Sequence, residues 1–435
     1  MPVLTPSRGF RPPGPKGHPH LPGPTRSAPT WSGALTVLTT AALVAACGNG
    51  GADDVSATPV DHATPRVALS YDGGIMVLDG TPNGHGPLDL VADLPTTDIA
   101  GADVPSGLVR LDPAGDDRHV AISAGPGFSM LDLGTWSDGA AHWTADPATT
   151  GIRFGAEEPG HVVPHAGRTA LFDDGTGLVR VFDPAQLASG ETPATTEYTT
   201  PSPHHGVAIP LDDGGLVVTD GTEDERHTVR ALDADGHEIA RTDDCPGVHG
   251  ESLARGAIVL GCENGAVVFS GGTFTKLAAP DVYGRIGNHA SDESSPVVLG
   301  DYKTDPDAEL ERPERISLVD TERGEIALVD LGTSYSFRSL ARGPHGETVV
   351  LGTDGALHVV EPDTRAVTGV VPVIDAWTEP ERWQAPRPAV FTIDHTTYVT
   401  DPARSMLHTV DLESARVTSS TPLPHVPNEI SGTTG

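Results

Sequence analysis

The amino-acid sequence predicts an all-β protein, on three observations. Between Arg66 and the C-terminus the apolar residues come in short Val- and Leu-rich runs bounded by Gly, Asp and Pro, the signature of strands separated by tight turns. No long apolar pattern with a 3.6-residue period competes with them. The runs also recur at intervals of about 46 residues, within the range of WD40-like and kelch-like repeats. The class therefore narrows to a single β-propeller of about eight four-stranded antiparallel blades, with seven as the alternative count.

Residues 1–46 read as a lipoprotein-type signal peptide. Arg8, Arg11, Lys16 and Arg26 lie in a Pro-rich basic lead, and "WSGALTVLTTAALVAA" follows with 16 residues. That length falls short of the roughly 20 that span a bilayer and suits the core of an export signal. "VAAC", Val44 to Cys47, resembles a lipobox. Cys47 is then the expected lipidation site, and the protein is expected to be exported and lipid-anchored to the outer face of the cell membrane; an ordinary secretory signal is the alternative. Residues 47–65, rich in Gly, Ala, Asp and Pro, have little to bury and suit a flexible tether. Residues 66–435 form the propeller domain.

One unit shows the repeat plainly: "PHHGVAIPLDDGGLVVTDG", Pro203 to Gly221. An inner strand enters, a Gly-containing turn supplies positive φ at little cost, and an apolar second strand returns. Third strands commonly end in Asp, as in "GIMVLDG" from Gly74, "GFSMLDLG" from Gly127 and "RISLVDT" from Arg315. Units begin near Arg66, Leu108, His161, His205, His249, His289, Phe337 and Ala389. The first lacks an inner strand of its own, and "HVPNEISG" (His425–Gly432) is expected to supply it, closing the ring without an exposed edge. The irregular unit after His289 is what keeps seven blades open.

The whole chain carries a formal charge of −33, from 27 Lys and Arg against 60 Asp and Glu. Removing the four leader cations leaves 23 against 60, or −37, which disfavours nucleic acid as a partner. Two cysteines remain after Cys47. In an oxidising compartment Cys245 and Cys262 are most simply a disulfide; a metal site or free thiols are the alternatives.

In a propeller the inner strands all begin at one face of the central channel, so residues at those starts converge. Four consecutive units begin with histidine: His161, His204 and His205, His249, and His289. The steps 161, 205, 249 and 289 are 44, 44 and 40 residues, the period of the repeat. These five histidines are the candidate metal ligands, with Asp103 as the candidate carboxylate and Glu251, Glu263 and Asp292 close by in sequence. Neighbouring strand residues face opposite ways, so one of His204 and His205 should point to the axis. Several imidazoles without thiolates suit Zn2+. The structural alternative is that a P-H-G histidine merely bonds the backbone of a neighbouring blade. His165, His345 and His395 fall in turns at the opposite face, and His119, His358 and His408 lie inside strands; all six read as packing or surface residues. A Cys245–Cys262 bridge would hold the loop leading into His249.

Taken together, "VPHAGRTALFDDGTGLVRVFD", "PHHGVAIPLDDGGLVVTDG", "CPGVHGE" with "GCENG", and "GNHASDESSPVVLGDY" resemble the extracytoplasmic zinc metallochaperones of the AztD type. The resemblance runs over most of residues 66–430. It implies a β-propeller that binds Zn2+ and hands it to the substrate-binding protein of a zinc ABC importer; a monomer without enzymatic activity is the accompanying expectation. A His-rich N-terminal segment, which such chaperones can carry, is reduced to His62 in the tether. Two other functions fit a propeller: a lactonase-type hydrolase using the channel, or a metal-free interaction scaffold. HExxH, GxSxG and Walker motifs are absent from the sequence.

Overall fold

Successive side chains of a strand point to opposite faces, and the strands Arg66–Tyr71 and Gly74–Asp79 are covered on both. Val67, Leu69, Met76 and Leu78 pack with Tyr398 and Leu407 on one side. Ala68, Ile75 and Val77 pack with Leu111, Val120 and Ile122 on the other. Burial on two faces is why such strands read as unbroken apolar runs rather than as an alternation. Eight apolar clusters of this kind join each sheet to the next in chain order and the last to the first.

The computed structural model describes residues 57–80, 86–99 and 109–435. The expected leader, the lipidation site Cys47 and the candidate ligand Asp103 lie outside the described residues. Eight sheets form the blades, each built on four antiparallel strands; blade five gains a fifth, the short strand Gly284–Arg285, which pairs in parallel with Asn264–Ser270. Their inner strands, from blade one to blade eight, are Ile430–Thr433, Arg110–Pro113, Pro159–His165, Ala208–Pro210, His249–Ala254, His289–Ala290, Leu340–Arg342 and Val390–Ile393. The C-terminal strand Ile430–Thr433 pairs with Arg66–Tyr71, Leu69 opposite Ile430 and Arg66 opposite Thr433. The ring is thus closed by the two ends of the domain, and the count is eight. Blade six is the irregular one: its inner strand is two residues long, and its second and third strands, Val297–Gly300 and Arg315–Asp320, are separated by a long connection.

One boundary moves. Part of the segment read as tether, Thr58–Val60, is a strand that pairs with Ala141–Thr144. Together with Thr135–Asp138 these make a small three-stranded sheet inserted in blade two. A three-residue strand with exposed side chains has no apolar signature to reveal it; its backbone pairing alone defines it.

Candidate metal centre

Three inner-strand starts bring their histidines together. Ring centroids of His161 and His205 are 5.1 Å apart, those of His205 and His249 5.1 Å, and those of His161 and His249 6.1 Å. One ligand atom of each lies within 4.8 Å of the others. They come from blades three, four and five, so the ring geometry rather than local sequence makes them neighbours.

Each of the three turns Nδ1 towards the protein. His249 Nδ1 donates to the Gly287 carbonyl at 2.7 Å. His205 Nδ1 donates to Asp174 Oδ2 at 2.5 Å. His161 Nδ1 stands 3.1 Å from Glu251 Oε2. A carbonyl has no proton to give, and an ionised carboxylate only accepts. In the neutral rings of His205 and His249 the other nitrogen, Nε2, therefore carries a lone pair. Those two Nε2 atoms face one another at 3.2 Å. Two lone pairs at that distance repel unless a proton or a cation lies between them.

Local structure explains the placement. A bulge falls between His249 and Glu251, and Gly250 at its centre has φ of +73°. A Cβ there would lie 2.6 Å from the Gly287 oxygen, so glycine is what lets that carbonyl reach the His249 ring. Cys245 and Cys262 form a disulfide with Cα atoms 4.9 Å apart, and both are fully buried. Backbone bonds continue the brace: Val248 N–H to Cys245 O, and Glu263 N–H to Pro246 O. On the other side, Arg110 donates to the carbonyls of Pro159 and Gly160, both at 2.8 Å, and so fixes the entry into His161. Arg226 donates to the His205 carbonyl at 3.1 Å.

Asp174 is the residue that motif reading missed. It sits in the turn between Arg168–Asp173 and Leu178–Phe182. Its neighbour Asp173 accepts from Glu157, Glu158 and Gly175 N–H groups and from Thr176 Oγ1, which locks the turn and leaves Asp174 to reach His205. The signal was present in "FDDGTG", because a second-to-third-strand turn returns to the face where inner strands begin.

Two expected ligands are not in the cluster. His204, adjacent to His205, points the other way as strand geometry requires: its Nδ1 is 3.0 Å from Ser202 O, its Nε2 3.1 Å from Thr219 Oγ1, and its ring packs edge-on to Phe172. His289 begins blade six, but its ring lies against the backbones of Gly250 and Gly300. Its strand pairing, opposite Gly300, matches that of His249 opposite Gly261, so the direction of the ring and not the strand register keeps it apart. Of the three carboxylates close by in sequence, Glu263 pairs with Arg285 and Asp292 faces Arg342, while Glu251 meets the cluster beside Asp174.

Electrostatics separate the three rings. Burial works against charging His161, but the Glu251 carboxylate outweighs it and the pKa is raised. Burial and then the charges of His161 and His205 hold His249 well below the ordinary imidazole value. Around the rest of the mouth the inner-strand starts carry a different set. Glu429 precedes blade one and contacts Arg338 ahead of blade seven, while Arg387 ahead of blade eight is paired with Glu379, both side chains almost fully buried. The mouth therefore divides into an imidazole side and an arginine–carboxylate side.

No family model matches the chain. Among curated proteins it is similar to the zinc chaperone AztD of Citrobacter koseri, 25% identical over 332 residues, covering 72% of this chain and 76% of that protein. Among solved structures, apo AztD from Citrobacter koseri aligns with a TM-score of 0.73 at 22% identity, over 86% of this chain and 100% of that one. A second crystal structure of Citrobacter koseri AztD gives 0.72 at 22% identity, over 86% and 99%. The dihydro-heme d1 dehydrogenase NirN, in complex with DHE, shares the fold more distantly, with a TM-score of 0.53 at 12% identity over 84% of this chain and 74% of that one. The chain is thus similar, in sequence and in fold, to the AztD-type zinc chaperone that its Cys–His–Cys segment and P-H-H-G blade resemble.

Proposed function

We propose that this protein is an extracytoplasmic zinc metallochaperone that carries Zn2+ at the His161, His205 and His249 mouth and passes it to the substrate-binding protein of a zinc ABC importer. The observation that carries the reading is the pair of facing Nε2 lone pairs 3.2 Å apart. Two nitrogens bound to one tetrahedral zinc, at 2.0–2.1 Å each, stand roughly 3.3 Å apart. That pair needs little rearrangement to take the ion, with His161 close enough to join it.

The partners on Nδ1 do what outer partners of zinc histidines do: they set the tautomer and raise ligand basicity. Asp174 and Glu251 also bring negative charge to balance the dication, and a carboxylate or water completes the shell. An open coordination position suits a carrier, because an incoming acceptor ligand can bind before the last histidine leaves. The similarity to a protein named zinc chaperone AztD favours carriage over hydrolysis. Export and a lipid anchor on Cys47 belong to the same proposal and would hold the carrier beside a membrane importer.

Metal analysis of untagged protein is the decisive experiment. Zinc near one equivalent at the mouth should survive gel filtration, and His205→Ala and His249→Ala should each lose it while remaining folded. Transfer is tested by mixing loaded protein with a zinc substrate-binding protein and measuring metal on each after separation. Metal-free protein that turns over a lactone would replace this reading with the hydrolase.

A further inference from the structure

We propose that the face opposite the three-histidine mouth carries a second divalent-metal site, formed by His345, His395 and Glu413. This inference does not depend on the mouth binding zinc. His345 lies in the turn between Leu340–Arg342 and Thr348–Leu351 of blade seven. His395 lies between Val390–Ile393 and Thr396–Asp401, and Glu413 between Met406–Asp411 and Arg416–Pro422, both in blade eight. First-to-second and third-to-fourth turns sit at the blade end away from the inner-strand starts, so all three residues project from one face across one seam.

Their geometry is that of a ligand set. His345 Nε2 is 3.3 Å from Glu413 Oε1, close to the roughly 3.3 Å between two ligand atoms on one tetrahedral zinc. The His345 and His395 ring centroids are 5.5 Å apart, and one ligand atom of each of the three residues lies within 4.8 Å of the others. The turns are pinned independently. The His345 N–H donates to Glu347 Oε2 at 2.9 Å, Glu413 and Ser414 N–H groups donate to Asp411 Oδ1 at 2.9 and 3.2 Å, and Asp394, with φ of +50°, makes the tight turn that presents His395.

Two imidazoles and one carboxylate select borderline ions such as Zn2+, with Cu2+ and Ni2+ as chemical competitors, over Ca2+ and Mg2+, which take oxygen ligands. The His345 and Glu413 side chains are 57% and 66% exposed. Water therefore completes the shell and exchange with solvent is fast. The site fits a loading or buffering position of lower affinity than the half-buried mouth, in a chain of net charge −33 that concentrates cations at its surface.

The test is a zinc titration by equilibrium dialysis of the full, untagged, chelator-stripped protein, alongside His395→Ala, Glu413→Gln and the triple variant His161→Ala/His205→Ala/His249→Ala. The expected result is loss of one zinc equivalent in His395→Ala and in Glu413→Gln, and retention of one equivalent in the triple variant. A His395→Ala isotherm that superimposes on the native one overturns the proposal, as does a folded triple variant that binds no zinc. Should the triple variant not fold, protection of His345 and His395 from diethyl pyrocarbonate by Zn2+, read by mass spectrometry, decides instead: protection is expected, and none at saturating zinc overturns the site. Failure of the mouth alone looks different, since the native chain would then keep a single equivalent that His395→Ala removes.

Discussion

His204 and His205 are adjacent in sequence and have opposite environments. His205 enters the mouth; His204 is 2% exposed, and burial lowers its pKa against the pull of the Ser202 carbonyl. His204→Ala is therefore expected to keep zinc and lose stability, whereas His205→Ala keeps the fold and loses zinc, as metal content and thermal melts would show. Asp174 acts one bond further out. Asp174→Asn removes the carboxylate that orients His205 and is expected to weaken zinc binding about 10–100-fold, measured by competition with a chromophoric chelator. Protons and zinc compete for the same nitrogens, so acidification should expel the metal. Glu251 raises the pKa of His161 but attracts the dication as well as the proton, so Glu251→Gln, like Asp174→Asn, is expected to weaken zinc binding, read by the same chelator competition. In metal-free protein the sign is that of a raised group. The His161–Glu251 pair contributes stability fully below the unfolded imidazole value and loses it as pH rises through the folded one. At this scale the three clustered histidines were legible because they recur with the blade period. Asp174 was not, because it belongs to a turn whose sequence serves equally well as plain turn chemistry.

At the scale of elements, a bulge and a disulfide position the His249 strand. Gly250→Ala would hold an L-residue at φ of +73° and press its Cβ on the Gly287 oxygen. The expected cost is about 1–2 kcal/mol from the left-handed backbone, with weaker zinc binding because His249 loses its carbonyl partner. Denaturant melts and zinc titration of the same variant measure the two effects separately. The disulfide closes a loop with a sequence separation of 17. Cys245→Ala/Cys262→Ala is expected to lose about 3 kcal/mol in the chain-entropy account, again read from denaturant melts. The bridge itself was legible from two cysteines in a chain whose leader reads as an export signal. The bulge was not, although "VHGE" contains the glycine it needs, because positive φ in a strand depends on what approaches it, here a loop of the next blade.

For the whole molecule the decisive element is the last strand. Ile430–Thr433 covers the open edge of Arg66–Tyr71 and completes the apolar seam between blades eight and one with Tyr398 and Leu407. Removing residues 430–435 would leave the strand Arg66–Tyr71, with its apolar run Val67–Leu69, unpaired at the edge, a template for association. Loss of the cooperative melt and high-molecular-weight species in size-exclusion chromatography are the expected results; a monodisperse truncated protein would contradict the role given to that strand.

Repeat length, strand composition and the recurrence of histidine at unit starts are local or periodic properties, and from them the sequence by itself determined the propeller class, the closing strand, the cysteine pair and which blades bear imidazoles. Tertiary structure alone decided which imidazole nitrogens face one another, that His204 and His289 turn away, that Asp174 and Glu251 join the cluster, and that His345, His395 and Glu413 meet across a seam. The physical reason is that a strand fixes the alternation of its side chains, whereas the distance between side chains on different blades depends on bulges, turn conformations and the angle at which neighbouring sheets pack.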